Sequence, residues 1–160
     1  MPQIVYLSMS KHVLSIDEID EQFELIAIHS SSQLHSLAFN INSALDLRLS
    51  RAKQDVSFGD KNEKYMVYKN GKKRDGITFF LYQNVFFDLK KISSPNLLFD
   101  ANPTRHLLIP ELKSVDYVVK YIGEKNIKSL IKSISLLNEV SSSYRVDKKK
   151  IKSIDNLIVD

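Results

Sequence analysis

Pro110 separates two apolar stretches of the chain, residues 107–109 before it and residues 115–122 after it. Proline lacks a backbone N–H and fixes its own φ, so it can close a strand but does not fit in the middle of a central one. Residues 115–122 then alternate between two sets of side chains, which is the period-2 pattern of a strand. The sequence therefore predicts a strand that ends near Ile109, a short polar connection, and a second strand that begins at Val115.

Two helices are predicted, one on each side of this region. The first follows the serines at 30–32, which offer N-cap hydroxyls, and we expect it to run from about Ser32 to Leu49. The second follows Asn126, a good N-cap residue, and ends before the serines at 141–143. The apolar residues at helical spacing are Leu34, Leu37, Ile41, Ala44 and Leu45 in the first helix, and Ile127, Leu130, Ile131, Ile134 and Leu137 in the second.

Short runs rich in β-branched and aromatic residues predict the remaining strands. They lie at 11–16, 23–29, 65–68, 77–82 and 144–147, and a further run at 85–89 either extends the fourth or bulges away from it after Gln83 and Asn84. Asn70-Gly71 and Asp75-Gly76 are strong turn pairs, so we expect residues 65–82 to form a hairpin. Residues 148–160 are expected to run along the surface, with residues 157–159 packing back against the rest of the domain.

This order of elements predicts an α+β fold, a two-layer sandwich with a mostly antiparallel sheet and two helices packed on one face. Residues 11–160 are expected to form a single domain, and residues 1–10, which show no clear period, a loose N-terminal extension. A chain of 160 residues with 43% hydrophobic and 26% charged residues is ordinary globular material.

The composition also bears on location. No apolar run approaches the roughly 20 residues that a membrane-spanning helix needs, and the N-terminus lacks the basic region and the cleavage site of a signal peptide. We therefore expect a cytoplasmic protein without a membrane partner. The chain has no cysteine, which excludes disulfides, thiolate metal sites and cysteine nucleophiles.

The net charge of +4 is unevenly distributed along the chain. Between Asp17 and Glu24 there are five acids and no base, whereas between Lys120 and Lys152 there are nine bases and three acids. A basic set of seven residues is a candidate anion or nucleic-acid patch: Lys128, Lys132, Arg145, Lys148, Lys149, Lys150 and Lys152. The competing interpretation is that these side chains only keep a helix face and a tail soluble.

The nine residues from Ile109 to Tyr117 carry a family resemblance. Ile109-Pro110-Glu111, three further residues, and Val115-Asp116-Tyr117 resemble the signature of the IPExxxVDY family. Residues 23–28, 144–147 and 152–158 also resemble that family, so the likeness covers about residues 11–160, with residues 71–105 poorly matched. The resemblance implies a small cytoplasmic protein from Bacteroidota bacteria and implies no particular activity.

Glu111, Asp116 and Tyr117 form a candidate functional turn within this signature. Two neighbouring carboxyls can divide acid and base roles or bind a divalent cation through oxygen. Alternatively, they accept hydrogen bonds from the loose backbone N–H groups of a turn.

No other pattern points to a reaction. The four histidines, at 12, 29, 35 and 106, do not have metal-ligand spacing, and the sequence contains neither G-x-S-x-G nor a phosphate-binding glycine motif. We therefore predict no catalytic residue, no metal and no cofactor.

Three functions remain open at this point. The first is a non-enzymatic binding or adaptor module with an unknown protein partner. The alternative is an RNA-associated accessory protein that uses the basic set. The third is a small-molecule enzyme that uses Glu111 and Asp116.

Overall fold

The computed structural model describes residues 22–58, 62–70, 76–88 and 103–157. The strands are β1 (Glu24–Ser30), β2 (Leu49–Arg51), β3 (Val56–Ser57), β4 (Lys64–Tyr65), β5 (Val67–Asn70), β6 (Thr78–Gln83), β7 (Val85–Asp88), β8 (Thr104–Leu107), β9 (Tyr117–Ile122) and β10 (Val140–Val146). The helices are α1 (Leu34–Leu45) and α2 (Ile127–Ser135), followed by two 3-10 turns at Lys148–Lys150 and Ile154–Asn156. The predicted extension at 1–10, the predicted strand at 11–16 and residues 158–159 lie outside the described residues.

Six strands form one antiparallel sheet in the order β10-β1-β9-β6-β5-β2. Both helices pack on the same face of it, because Leu37 of α1 and Ile134 of α2 are buried in one cluster with Phe79 and Val119 of the sheet. The α+β prediction, with a mostly antiparallel sheet and two helices on one face, is confirmed. The predicted hairpin is also present, since β5 pairs with β6 and Val67 lies opposite Tyr82.

The other face of the sheet is covered as well. Side chains alternate along a strand, so Val118 of β9 points away from the helices and lies in a second buried cluster. Its cover comes from residues 108–116, here called the signature turn, and from residues 148–157, here called the C-terminal segment. Ile109, Val115, Ile151 and Leu157 all insert there and are at most 7% exposed. Each such buried side chain contributes roughly 1.5–3 kcal/mol.

The first helix is shorter than predicted. It ends at Leu45 rather than near Leu49, because Asp46 adopts a left-handed conformation with φ of 52°. The side chain of Asn42 then accepts the backbone N–H of Leu49 at 2.7 Å and donates to the carbonyl of the same residue at 3.1 Å. This clamp turns the chain out of α1 and directly into β2.

The strands on either side of Pro110 stop short of the predicted limits. β8 ends at Leu107 rather than near Ile109, and β9 begins at Tyr117 rather than at Val115. The two strands are not neighbours, since β8 pairs with β7, whereas β9 lies between β1 and β6. The residues between them are held by hydrogen bonds with the side chains of Asn84 and Asn156.

The last helix and strand also differ from the prediction. The helix ends at Ser135, before the last apolar residue of the predicted stripe, Leu137. The serines at 141–143 belong to β10 instead of forming a break before it. These serines lie in a strand because β1 pairs on both sides of them, with Ser142 opposite His29, Ser143 opposite Ile28 and the unpaired Ser141 at a register shift. Tertiary pairing thus overrides the weak strand preference of a serine run.

Candidate functional site

Asn84 organises the signature turn. It lies between β6 and β7 and is fully buried. Its side-chain oxygen accepts the N–H of Ile109 at 2.9 Å, and its side-chain amide donates to the carbonyls of Leu112 at 3.0 Å and Val115 at 2.8 Å. An asparagine side chain offers both an acceptor and two donors, so one residue satisfies three buried backbone groups of the turn.

The backbone of Asn84 adds two more bonds to the same region. Its N–H donates to the carbonyl of Asp116 at 2.9 Å, and its carbonyl accepts the N–H of Leu108 at 2.9 Å. Strand β7 therefore leaves the main sheet at this residue and pairs with β8 instead. Of the two alternatives that the sequence left open for residues 85–89, the chain bulges away.

Glu111 holds the C-terminal segment. Its carboxylate accepts the N–H of Lys152 at 2.9 Å, the N–H of Ser153 at 3.1 Å and the hydroxyl of Ser153 at 2.5 Å. The Ser153 hydroxyl, together with these backbone N–H groups, lowers the pKa of Glu111, against a smaller opposing effect of burial. The carboxylate thus stays ionised and acts as the acceptor for a bend in the C-terminal segment.

Asp116 and Tyr117 hold a different part of the chain, the connection between β1 and α1. The carboxylate of Asp116 accepts the N–H of Ser30 at 2.9 Å, and the hydroxyl of Tyr117 donates to the carbonyl of Ser32. Burial, with the nearby charge of Asp116, raises the pKa of Tyr117. The two signature carboxylates are therefore bonded to separate segments, Glu111 to the C-terminal segment and Asp116 to the last residue of β1.

Sequence reasoning missed two asparagines that complete this arrangement. Asn84 is one, and the other is Asn156, whose side-chain amide donates to the carbonyl of Leu108 at 2.8 Å. Beside it, the hydroxyl of the buried Tyr82 donates to the carbonyl of Leu157 at 3.2 Å. The only sequence signal was that Asn84 interrupts an apolar run, which marks a turn and does not reveal the partners of its side chain.

The seven residues of the basic set are divided between the two faces of the sheet. Lys128 and Lys132 are exposed on α2, on the helix-bearing face. Lys148, Lys149, Lys150 and Lys152 belong to the C-terminal segment, which packs on the opposite face through Ile151 and Leu157. Arg145 lies in β10 and bonds both carboxylate oxygens of Glu24 at 2.7 Å. The structure therefore places the set on both sides of one strand, β10.

β10 is the edge strand of the six-stranded sheet in the described part of the chain. The carbonyl of Ile28 accepts the N–H of Asp116, so the backbone groups of Ile28 point toward β9. The backbone groups of successive strand residues point in opposite directions, so those of even-numbered β1 residues point toward β9 and those of odd-numbered ones toward β10. Since Ala27 lies opposite Tyr144, the backbone of Tyr144 bonds inward. The backbone N–H and C=O groups of Ser143 and Arg145 consequently point outward from the sheet.

Two hollows lie elsewhere on the described surface. One, of about 340 Å³, lies at the start of α1 and is lined by Gln33, His35 and Gln83, among others. The larger, of about 830 Å³, lies between the β2–β3 connection and the C-terminal segment. It carries charges of both signs, and two of them, Arg51 and Asp55, are paired with each other at 2.5 Å. Neither hollow is lined by the signature carboxylates.

No family model, curated protein or solved structure matches this chain. Within the described ranges, neither helix has the length and apolar character needed to cross a membrane.

Proposed function

We propose that this chain is a non-enzymatic binding module that engages a protein partner through the outer edge of β10. The observation that carries the proposal is the outward direction of the Ser143 and Arg145 backbone groups on a seven-residue edge strand. An extended segment of another protein can pair with such groups and add a strand to the sheet. Tyr144, 43% exposed on the same strand, offers an aromatic side chain to that partner.

β10 lacks most of the features that protect sheet edges from pairing. Edges are commonly blocked by lysine, proline, bulges or very short length. β10 contains no lysine and no proline, and its register shift lies at one end, between His29 and Ser30 of β1, so residues 142–146 are regular. The charge of Arg145 is neutralised by Glu24. Within the described ranges, the edge is therefore open to pairing along most of its length.

The same strand is held rigidly from the inside. It pairs with β1 at every residue except Ser141. The hydroxyl of Ser143 also bonds the hydroxyl of Ser135 at 2.6 Å and the carbonyl of Ile131 at 3.2 Å, both on α2. A preformed edge loses little conformational entropy when a partner strand binds. This supports a recognition role in preference to a purely structural one.

A matched pair of variants tests the proposal. Ser143→Pro and Ser143→Ala both lose the hydroxyl, but only the proline variant also loses the outward N–H, which has no partner in the sheet. Tagged protein is used to recover partners from extracts of the source cells, with quantification of each recovered protein. We expect the alanine variant to recover the wild-type partners and the proline variant to lose them at least tenfold.

Arg145→Pro and Arg145→Ala form a second pair at the other outward N–H, and circular dichroism checks that each variant is folded. Unchanged recovery by both folded proline variants contradicts the proposal. So does a wild-type protein that recovers no partner reproducibly.

A second candidate function is association with RNA. Lys149, Lys150 and Lys152 are exposed on the C-terminal segment, and none of the three makes an ion pair within the described ranges. If they contact phosphates, their triple alanine variant will bind single-stranded RNA less tightly, and the slope of log K against log salt will fall by about 2, at roughly 0.7 per contact. Lys128→Ala/Lys132→Ala is the control. Equal retention of wild type on a polyanion resin and a neutral resin at low salt contradicts this candidate.

Family membership, a Bacteroidota source and a cytoplasmic location are part of our proposal. Their support is the complete signature from Ile109 to Tyr117 and a sequence with no cysteine. Cell fractionation tests the location, with the protein expected in the fraction that holds cytoplasmic enzymes. Recovery in the membrane or secreted fraction contradicts it.

A further inference from the structure

Lysines border the outer edge of β10 on the helix-bearing face. The hydroxyl of Ser143 reaches Ser135 and the carbonyl of Ile131, so this side of α2 lies directly over β10. Lys128 precedes Ile131 by three positions and Ser135 by seven, which places all three on one side of the helix. Lys132 lies next to that side and is exposed. The positive charges of Lys128 and Lys132 therefore lie on the helix-bearing side of the outward backbone groups of β10.

Lysines also border the edge on the opposite face. Lys148 and Lys149 follow β10 almost directly, in the C-terminal segment that packs there. The ammonium group of Lys148 lies 4.3 Å from the centre of the Phe23 ring, just before the start of β1. Lys149 is exposed, so cations lie near the edge strand on both faces of the sheet.

Three acids near the edge are bonded within the described part of the chain. Glu24 pairs with Arg145, Glu139 accepts from the side chain of Asn40, and Asp147 accepts the N–H of Lys149 at 3.1 Å. They offset part of the local charge, but Lys128, Lys132 and Lys149 make no ion pair within the described ranges. An incoming strand therefore meets unneutralised positive charge on each face.

This charge pattern disfavours a second copy as the occupant. Pairing of β10 with β10 of another copy would bring Lys128 and Lys132 of both α2 helices to the same side of the joint sheet. Like charges held close together destabilise such pairing. The same lysines attract a negatively charged partner and repel a second copy of this chain.

We infer that the β10 edge takes an extended acidic segment of another protein. This inference rests on the proposed function and specifies the chemistry of the partner. Backbone groups of the segment pair with Ser143 and Arg145. Because alternate side chains of a strand point to opposite faces, its carboxylates reach Lys128 and Lys132 on one face and Lys148 and Lys149 on the other.

Three labelled ten-residue peptides test the inference by fluorescence anisotropy with the full chain. The first repeats the sequence Glu-Glu-Val-Val, which places glutamates on both faces of an extended strand. The second replaces each glutamate by lysine, and the third carries a central proline in the acidic sequence. We expect the acidic peptide to bind at least tenfold more tightly than either control. We also expect that affinity to fall at least tenfold for Lys128→Glu/Lys132→Glu and for Ser143→Pro, but not for Ser143→Ala.

Each alternative gives its own result. Equal binding of the acidic and lysine peptides, or an unchanged affinity in Lys128→Glu/Lys132→Glu, overturns the inference. A short RNA that binds more tightly than the acidic peptide overturns it in favour of nucleic acid. A wild-type dimer in sedimentation that Ser143→Pro abolishes overturns it in favour of a second copy.

Failure of this inference and failure of the proposed function are distinguishable. If cellular partners are lost with Ser143→Pro but retained with Lys128→Glu/Lys132→Glu, the β10 edge binds a protein whose charge is not recognised. If Ser143→Pro and Arg145→Pro both retain the cellular partners, the proposed function itself is wrong.

Discussion

The carboxylate of Glu111 accepts the backbone N–H of Ser153 at 3.1 Å, across 42 positions of the chain. Together with the Lys152 N–H and the Ser153 hydroxyl, this bond fixes the C-terminal segment against the signature turn. The most distinctive stretch of the sequence thus has an internal structural role, and the surface proposed for recognition lies elsewhere, at β10.

Replacing Glu111 by alanine is expected to loosen the C-terminal segment. The variant removes the acceptor of three hydrogen bonds, and because the group is largely exposed we expect a loss of only about 1 kcal/mol of unfolding free energy. Amide hydrogen exchange at Ile151 and Leu157 should rise more than exchange in β9. Lys152→Ala is the control, since it keeps the backbone N–H that Glu111 accepts. Unchanged exchange in Glu111→Ala would contradict the assigned role.

The stability of the protein should depend on pH through the same carboxylate. The folded state lowers the pKa of Glu111 below its ordinary value of 4.5, so its contribution is fully present above that pH and is lost as pH falls through the folded pKa. Urea unfolding between pH 6 and pH 3 measures this. Glu111→Gln should lose less stability over that interval than wild type. Parallel curves for the two proteins would show that Glu111 is not linked to folding.

Among the substitutions in this region, Asn84→Ala should destabilise the signature turn most. It leaves the buried N–H of Ile109 and the buried carbonyl of Val115 without this partner, whereas the carbonyl of Leu112 still accepts the N–H of Val115. Each unsatisfied buried group costs about 1–3 kcal/mol, so a total loss above roughly 2 kcal/mol is expected in denaturant unfolding. Asn138→Ala, at an exposed position, should change little. A loss below 1 kcal/mol for Asn84→Ala would mean that water replaces its side chain.

Asp116→Ala and Asp116→Asn distinguish the hydrogen bond that Asp116 accepts from Ser30 from the effect of its negative charge. The asparagine side chain still offers an oxygen to the N–H of Ser30, whereas alanine offers none. We expect Asp116→Ala to lose about 1–2 kcal/mol and Asp116→Asn less than half of that. Thermal unfolding measures both. Equal losses would assign the effect to the negative charge instead of to the hydrogen bond.

Gly123→Ala should be poorly tolerated although the position is exposed. A Cβ atom there would lie 2.5 Å from the hydroxyl oxygen of Tyr121 and 2.8 Å from the ring carbon that bears it. Tyr121 is almost fully buried and its hydroxyl accepts the N–H of Lys125 at 3.0 Å, so the ring cannot move freely. A loss of roughly 1–3 kcal/mol is expected in urea unfolding, as for an overpacked site. Ser129→Ala on exposed α2 is the control.

Much of the fold follows from local pattern. The alternation after Val115 identifies β9 as a strand, and the apolar spacing from Ile127 identifies α2. The order of the elements predicts both helices on one face of an antiparallel sheet, and the apolar stripe of each helix identifies the side that packs. Such patterns report which side of an element is buried, and that is sufficient for the class of fold.

The details of the signature could not be obtained in the same way. Asn84 contacts Ile109 and Val115, 25 and 31 positions away, and no local pattern encodes such partners. The end of α1 depends on the left-handed conformation of Asp46 and the clamp from Asn42, and the placement of the serines in β10 depends on β1. In each case the local structure depends on a long-range or side-chain-specific hydrogen bond, which local sequence propensity does not predict.

The cover on the second face of the sheet also has a consequence for synthesis on the ribosome. Ile151 and Leu157 contribute to that cover, and Asn156 bonds Leu108 from the far end of the described chain. A nascent chain whose residues 151–157 have not yet emerged leaves Val118 and Tyr82 without this part of their cover. We therefore expect that apolar surface to be accessible to chaperones until these residues emerge and pack on it.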